Sequence, residues 1–136
     1  MSKGSSNGII LIGTSDGEMQ ELLPGFIARN FDMGSLCVSE TSDLLLEILD
    51  KQIDLTIIDL NLSGLPIEKT IQIIKKCRPG VPVIVLSDDY SVATGRRIME
   101  QGVFYYVYKP LDMALFRETV ESALKKRAKE KADERR

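Results

Sequence analysis

Asp54-Leu55-Thr56-Ile57-Ile58-Asp59 reads as an apolar strand that ends on a carboxylate. A continuous apolar run of this length belongs in a parallel sheet covered on both faces. Working outward from it, the same kind of run recurs. Gly8-Ile9-Ile10-Leu11-Ile12-Gly13 forms a first strand and Ser35 to Ser39 a short second one. Val81 to Leu86 is a fourth, ending at Ser87-Asp88-Asp89, and Phe104 to Tyr108 is a fifth, closed by Lys109-Pro110.

Helical spacing fills the intervals. Met19, Leu22, Leu23, Phe26 and Ile27 recur after the loop Thr14-Ser15-Asp16-Gly17, and Pro24-Gly25 predicts a kink or an end within that helix. Leu44, Leu45, Leu46, Ile48 and Leu49 follow a cap at Thr41 or Ser42. Ile67, Ile71, Ile74 and Cys77 follow Pro66, and Ser91 to Gln101 forms a fourth helix with Gly102 after its end. From Asp112 a last helix carries Leu115, Phe116, Val120, Ala123 and Leu124 on one side. Five strands alternating with five helices predict an α/β, doubly wound, five-stranded parallel sheet, the (βα)5 arrangement of flavodoxin-like folds. The expected organisation is a flexible lead over 1–7, one domain over 8–124 and a charged helical extension or start of a linker over 125–136. That extension has helix-forming residues but almost nothing to bury, so it reads as solvated and fraying.

Composition narrows the chemistry. The chain has 136 residues and a formal net charge of -2, which gives no global reason for direct nucleic-acid binding. It has no His, which removes histidine bases, ligands and phosphohistidine carriers. Cys37 and Cys77 form no CxxC pair and read as buried small hydrophobes in a reducing, cytoplasmic setting. No apolar run approaches the ~20 residues of a membrane span, and the start of the chain lacks an apolar signal core.

Ligands of open parallel sheets bind beyond the C-terminal ends of the strands. Those ends carry Thr14, Ser15 and Asp16, then Asp59, then Ser87, Asp88 and Asp89, then Lys109. A carboxylate attacks a phosphoryl group to give an acyl phosphate, and a hydroxyl and an ammonium hold the new oxygens. A hard cation such as Mg²⁺ neutralises charge during that transfer.

Three segments carry a resemblance: Leu55-Thr56-Ile57-Ile58-Asp59-Leu60-Asn61-Leu62, Ile84-Val85-Leu86-Ser87 and Tyr106-Val107-Tyr108-Lys109-Pro110-Leu111. Over about Gly8 to Leu124 the chain resembles the CheY-like receiver domains of bacterial two-component response regulators. The resemblance implies a signalling module, not an enzyme. Asp59 would be the phosphoacceptor and a Mg²⁺ ligand, and Asn61 would offer its backbone carbonyl to the metal. Ser87 would be the switch hydroxyl and Tyr106 the switch aromatic. Lys109 would contact the phosphate, with a cis bond to Pro110. The implied partners are a histidine kinase or phosphotransfer protein, a downstream effector, and a homodimer mate through the fourth helix, fifth strand and fifth helix. Arg96, Arg97 and Arg117 fall on that face, where Glu100 and Glu118 offer pairing acids.

Thr14 and Ser15 stand where the family carries an acidic pair, which weakens Mg²⁺ binding. Asp16, one residue later, rescues the site only if the loop shifts. Asp88 replaces a small residue and either repels a donor or supplies acidic charge. Ser63 and Ile67 stand where the family commonly has Pro and Gly. A second reading is therefore a degenerate receiver, a phosphorylation-independent interaction module. A third is a flavodoxin-like cofactor binder, with Gly13 to Gly17 cradling a phosphate.

Overall fold

The computed structural model describes residues 8–134, so the lead expected over 1–7 lies outside the described residues. Strands and helices alternate as β1 (Ile9–Gly13), α1 (Gly17–Asn30), β2 (Gly34–Val38), α2 (Thr41–Asp50), β3 (Ile53–Asp59), α3 (Ile67–Cys77), β4 (Val83–Ser87), α4 (Val92–Met99), β5 (Tyr105–Tyr108) and α5 (Met113–Glu134). All strands are parallel, in the order β2-β1-β3-β4-β5. The expected α/β fold is the observed one, with element ends shifted by one or two residues.

β3 is central, and all seven of its residues are buried. Side chains alternate between faces along a strand, so two separate cores form. Leu11, Ile58 and Val85 meet Leu44 and Ile48 of α2, Ile71 and Ile74 of α3 and Ile98 of α4. Ile10, Ile12, Ile57 and Ile84 meet Leu23, Phe26 and Ile27 of α1 and Phe116 and Val120 of α5. Gly13 ends β1 because a Cβ there would lie 2.6 Å from the Leu44 side chain.

Several local expectations fail for physical reasons. Pro24 sits inside α1, which runs unbroken to Asn30. The missing N–H and the ring clash cost about 3 kcal/mol. Burial of Met19, Leu23, Phe26 and Ile27, each worth about 1.5–3 kcal/mol, outweighs that. Neither Thr41 nor Ser42 caps α2; Glu40 takes the cap position without a side-chain bond. The Thr41 hydroxyl instead accepts the Leu65 N–H at 2.9 Å, beside Gly64, whose φ of 119° suits glycine. Cys37 is exposed and Cys77 only partly buried. Strand β2 is an edge, so Leu36 and Val38 reach the core while Cys37 points the other way. Leu46, Leu49 and Leu115 are exposed, because each helix buries one stripe only. The stretch expected as a charged helical extension or start of a linker continues α5 to Glu134.

One core position carries a cost. Thr56 is fully buried on β3, and its hydroxyl finds no hydrogen-bond partner among the described residues. An unmade buried hydrogen bond costs about 1–3 kcal/mol. Thr56→Val keeps the branched shape and is expected to raise the unfolding free energy by about 1 kcal/mol. Urea denaturation measures this, and a loss of stability of that size would contradict the reading.

Candidate functional site

Strand order reverses between β1 and β3, and the chain turns to opposite faces of the sheet there. Asp59 ends β3 at that point with 1% exposure. A buried carboxylate needs charge and hydrogen-bond partners to remain ionised. Lys109 Nζ donates to Asp59 Oδ2 at 2.7 Å, and the Thr14 hydroxyl donates to the same oxygen at 2.9 Å. Among the described residues Oδ1 takes only the Asn61 N–H, at 3.3 Å. One oxygen is thus doubly held and the other nearly free.

Lys109 follows β5, and its side chain is 11% exposed. Its N–H donates to the Ser87 carbonyl, continuing the β4–β5 ladder by one residue. The Lys109–Pro110 bond is cis, as the resemblance implies. Tyr90, which the sequence reading passed over, donates its hydroxyl to the Lys109 carbonyl and packs against Tyr108 with ring centroids 5.2 Å apart.

Asp16 reaches the site, but through Lys109. It caps α1 with Oδ1, accepting the Glu18 N–H at 2.9 Å, while Oδ2 accepts Lys109 Nζ at 3.1 Å. The Lys109 hydrogen bond lowers the Asp16 pKa below the ordinary carboxylate value. For Lys109, burial pulls the pKa down, but the hydrogen bonds to Asp59 and Asp16 outweigh it and the net shift is upward. One ammonium therefore serves two carboxylates.

Thr14 is fully buried and takes part directly, as the donor to Asp59. Its place right after β1, beside β3, was the signal that could have revealed this. Ser15 turns away: its hydroxyl donates to the Ser39 carbonyl and accepts the Ser63 N–H. The loop from Gly13 to Gly17 is thus closed by its own side chains, and the Asp16 carboxylate occupies the α1 N-terminus. That arrangement disfavours an anionic cofactor there.

Ser87 is fully buried at the end of β4, and its hydroxyl is engaged by its own loop and by Tyr106. Its Oγ accepts the Asp89 N–H at 2.9 Å and the Tyr106 hydroxyl at 2.8 Å. Burial raises the Tyr106 pKa. Asp89 carries the first turn of α4: Oδ1 accepts the Ser91 N–H and Oδ2 the Thr94 hydroxyl. The Ser91 N–H is the main reason its pKa is lowered. Asp88 is exposed. On the α4 side, Arg97 is engaged within the domain by Glu68, and Arg117 of α5 lies 3.9 Å from Glu121 on its own helix.

As a hard-cation site this donor set is thin. Asp59 Oδ1 and the Asn61 backbone remain, Asp16 is committed to Lys109, and Thr14 and Ser15 are neutral. Among the described residues no group of three His, Cys, Asp or Glu side chains is placed to hold a metal. Asp54, the other buried carboxylate, lies at the far end of β3.

A family model described as response regulator receiver domain matches residues 10–121. The transcriptional regulatory protein ZraR of Salmonella typhimurium is 30% identical over 82 residues, covering 60% of this chain and 19% of that protein. The transcriptional regulatory protein GlrR of Escherichia coli K12 is 30% identical over 95 residues, covering 69% of this chain and 21% of that protein. The chain thus spans about a fifth of the length of these curated relatives. Among solved structures, a CheY-like receiver domain protein from Methanospirillum hungatei JF-1 superposes with a TM-score of 0.84 at 18% identity. That match covers 91% of this chain and 98% of the other. Receiver domains generally bind Mg²⁺ at an acidic pocket, and in this chain Asp54 and Asp59 are buried. The length and continuity of the match, and the fold it shares, lead to one conclusion: the chain belongs to the response regulator receiver domain family.

Proposed function

We propose that this receiver accepts a phosphoryl group on Asp59 from a histidine kinase or phosphotransfer protein, in a bacterial cytoplasmic two-component pathway, and acts as a signalling module rather than an enzyme. The buried Asp59–Lys109 pair at 2.7 Å is the observation that carries this reading. A carboxylate oxygen bonds to phosphorus while the phosphorus–nitrogen bond of the donor phosphohistidine breaks, leaving its electron pair on the imidazole. Lys109 offsets the charge that builds on the transferred oxygens. Asp59 Oδ1, the less engaged oxygen, is the available nucleophile.

Asp59 and the Asn61 carbonyl would hold Mg²⁺, with water completing the shell. The metal, when bound, supplies charge neutralisation for the incoming phosphate. Asp16 joins only by giving up Lys109. Ser87 then leaves Asp89 to bond the phosphoryl group, and Tyr106, hydrogen-bonded to Ser87, moves with it. That pairing supports a change at the surface of α4, β5 and α5, where an effector or a second copy docks.

A second reading is favoured by one observation. The Thr14 hydroxyl satisfies Asp59 where the family has a carboxylate, which suits an interaction module working without phosphate.

Two measurements separate these readings. Incubation with Mg²⁺ and acetyl phosphate, read by intact mass, is expected to add one phosphoryl group to the wild type and none to Asp59→Asn. No gain, under conditions that modify a control receiver, rejects the first reading in favour of the second. Ser15→Asp returns a carboxylate to the loop after β1, without the hydroxyl donation that turns Ser15 toward Ser39, and is expected to tighten Mg²⁺ binding by on the order of ten-fold in calorimetric titration. Unchanged affinity would show that the missing acidic pair is not what limits the metal.

Asp16→Asn gives a third test. Asn caps a helix about as well as Asp, so α1 is retained. Lys109 then serves Asp59 alone, and the rim loses one negative charge. Labelling by acetyl phosphate is expected to speed up roughly several-fold. Slower labelling would make Asp16 a metal ligand instead of a competitor for Lys109.

A further inference from the structure

The second half of α5 has little reason to be helical on its own. Residues 125–134 hold only Ala128 and Ala132 as apolar side chains. A short helix of such composition frays in water. Yet α5 runs 22 residues, against 11 for α3, and stays helical to Glu134.

Its packing stripe explains this. Phe116, Val120 and Ala123 are buried against the sheet, with Leu124 partly so. Helical spacing carries that stripe on to positions 127 and 131, which are Arg and Lys. Both meet Asp54 at the start of β3. Arg127 Nε donates to Asp54 Oδ1 at 3.3 Å and Lys131 Nζ to the same oxygen at 3.2 Å. The Asp54 side chain is 9% exposed and that of Arg127 13%. The backbone closes around them: a Cβ on Gly80 would lie 2.7 Å from the Arg127 guanidinium, and one on Gly8 would overlap Asp54 Oδ2. The stripe thus passes from apolar burial to ion pairing without changing face.

We infer that Asp54, Arg127 and Lys131 form a clamp that holds the second half of α5 on the sheet and fixes the direction in which the chain leaves the domain. The clamp sits on the strand that carries Asp59, at its opposite end. It does not depend on whether Asp59 takes phosphate. Exposed ion pairs contribute little, but a nearly buried acid with two cations differs. Removing its charge takes from both cations the nearly buried acid that they share.

Hydrogen exchange on the full chain, read by mass spectrometry, tests this. In the wild type, amides of residues 128–134 are expected to exchange more slowly than in an unstructured peptide. Asp54→Asn is expected to speed them by about ten-fold or more while β1 and β4 keep their rates. Wild-type rates in Asp54→Asn overturn the clamp. If that variant loosens the core strands as well, Lys131→Gln decides, since it leaves the Arg127–Asp54 pair in place. Faster exchange confined to the last turn, restored by Lys131→Arg, supports the clamp. No change in Lys131→Gln overturns it.

Discussion

A carboxylate buried at the end of the central strand, with one ammonium to offset it, is the constraint on which the rim of this domain depends. Asp59, with 1% exposure, is a buried carboxylate, and burying one is costly unless positive charge is brought against it. The delivery comes from Lys109 at the end of β5, across β4. The ladder bond from the Lys109 N–H to the Ser87 carbonyl, and the tyrosine hydroxyl on the Lys109 carbonyl, fix where that side chain starts. Sheet order, strand length and loop shape therefore converge on one ion pair.

The same ammonium also serves Asp16, and the Thr14 hydroxyl completes the shell of Asp59. At this rim a hydroxyl meets Asp59, and the neighbouring carboxylate of Asp16 meets the lysine. The local charge is less negative than an acidic pair would make it, and the demand for a cation falls accordingly. Ser87 and Tyr106 are meanwhile tied to the Asp89 turn, so the Ser87 hydroxyl is engaged by α4's leading turn, in contrast to that of Thr14.

β3 has a second charged end. Asp54 faces α5 at the bottom of the sheet, while Asp59 faces the loops at the top. Each carboxylate meets cationic charge from a distant part of the chain, and four buried residues separate them. A strand pinned at both ends is a stiff element between the rim and the exit helix, because packed interiors resist small displacements.

Much of this was legible in the residues. Apolar runs and helical spacing determined five strands, five helices and a parallel sheet, because burial on two faces leaves no polar alternation in a strand. The positions of Asp59, Ser87 and Lys109 at strand ends followed from that order. What the sequence could not decide was direction and partnership. It marked Thr14 as a lost carboxylate, and only the fold turned its hydroxyl onto Asp59. It suggested Asp16 as a metal ligand, and the α1 cap turned it onto Lys109. It offered a kink or an end of α1 near Pro24, and core burial carried the helix on to Asn30. It left residues past Leu124 without a reason to pack, and Asp54, 73 positions before Arg127, supplied one. Local pattern fixes which segments are strands and helices because periodicity is a property of neighbours. The partner of a buried charge depends on which distant groups the completed fold brings within hydrogen-bonding reach, and that only the tertiary structure decided.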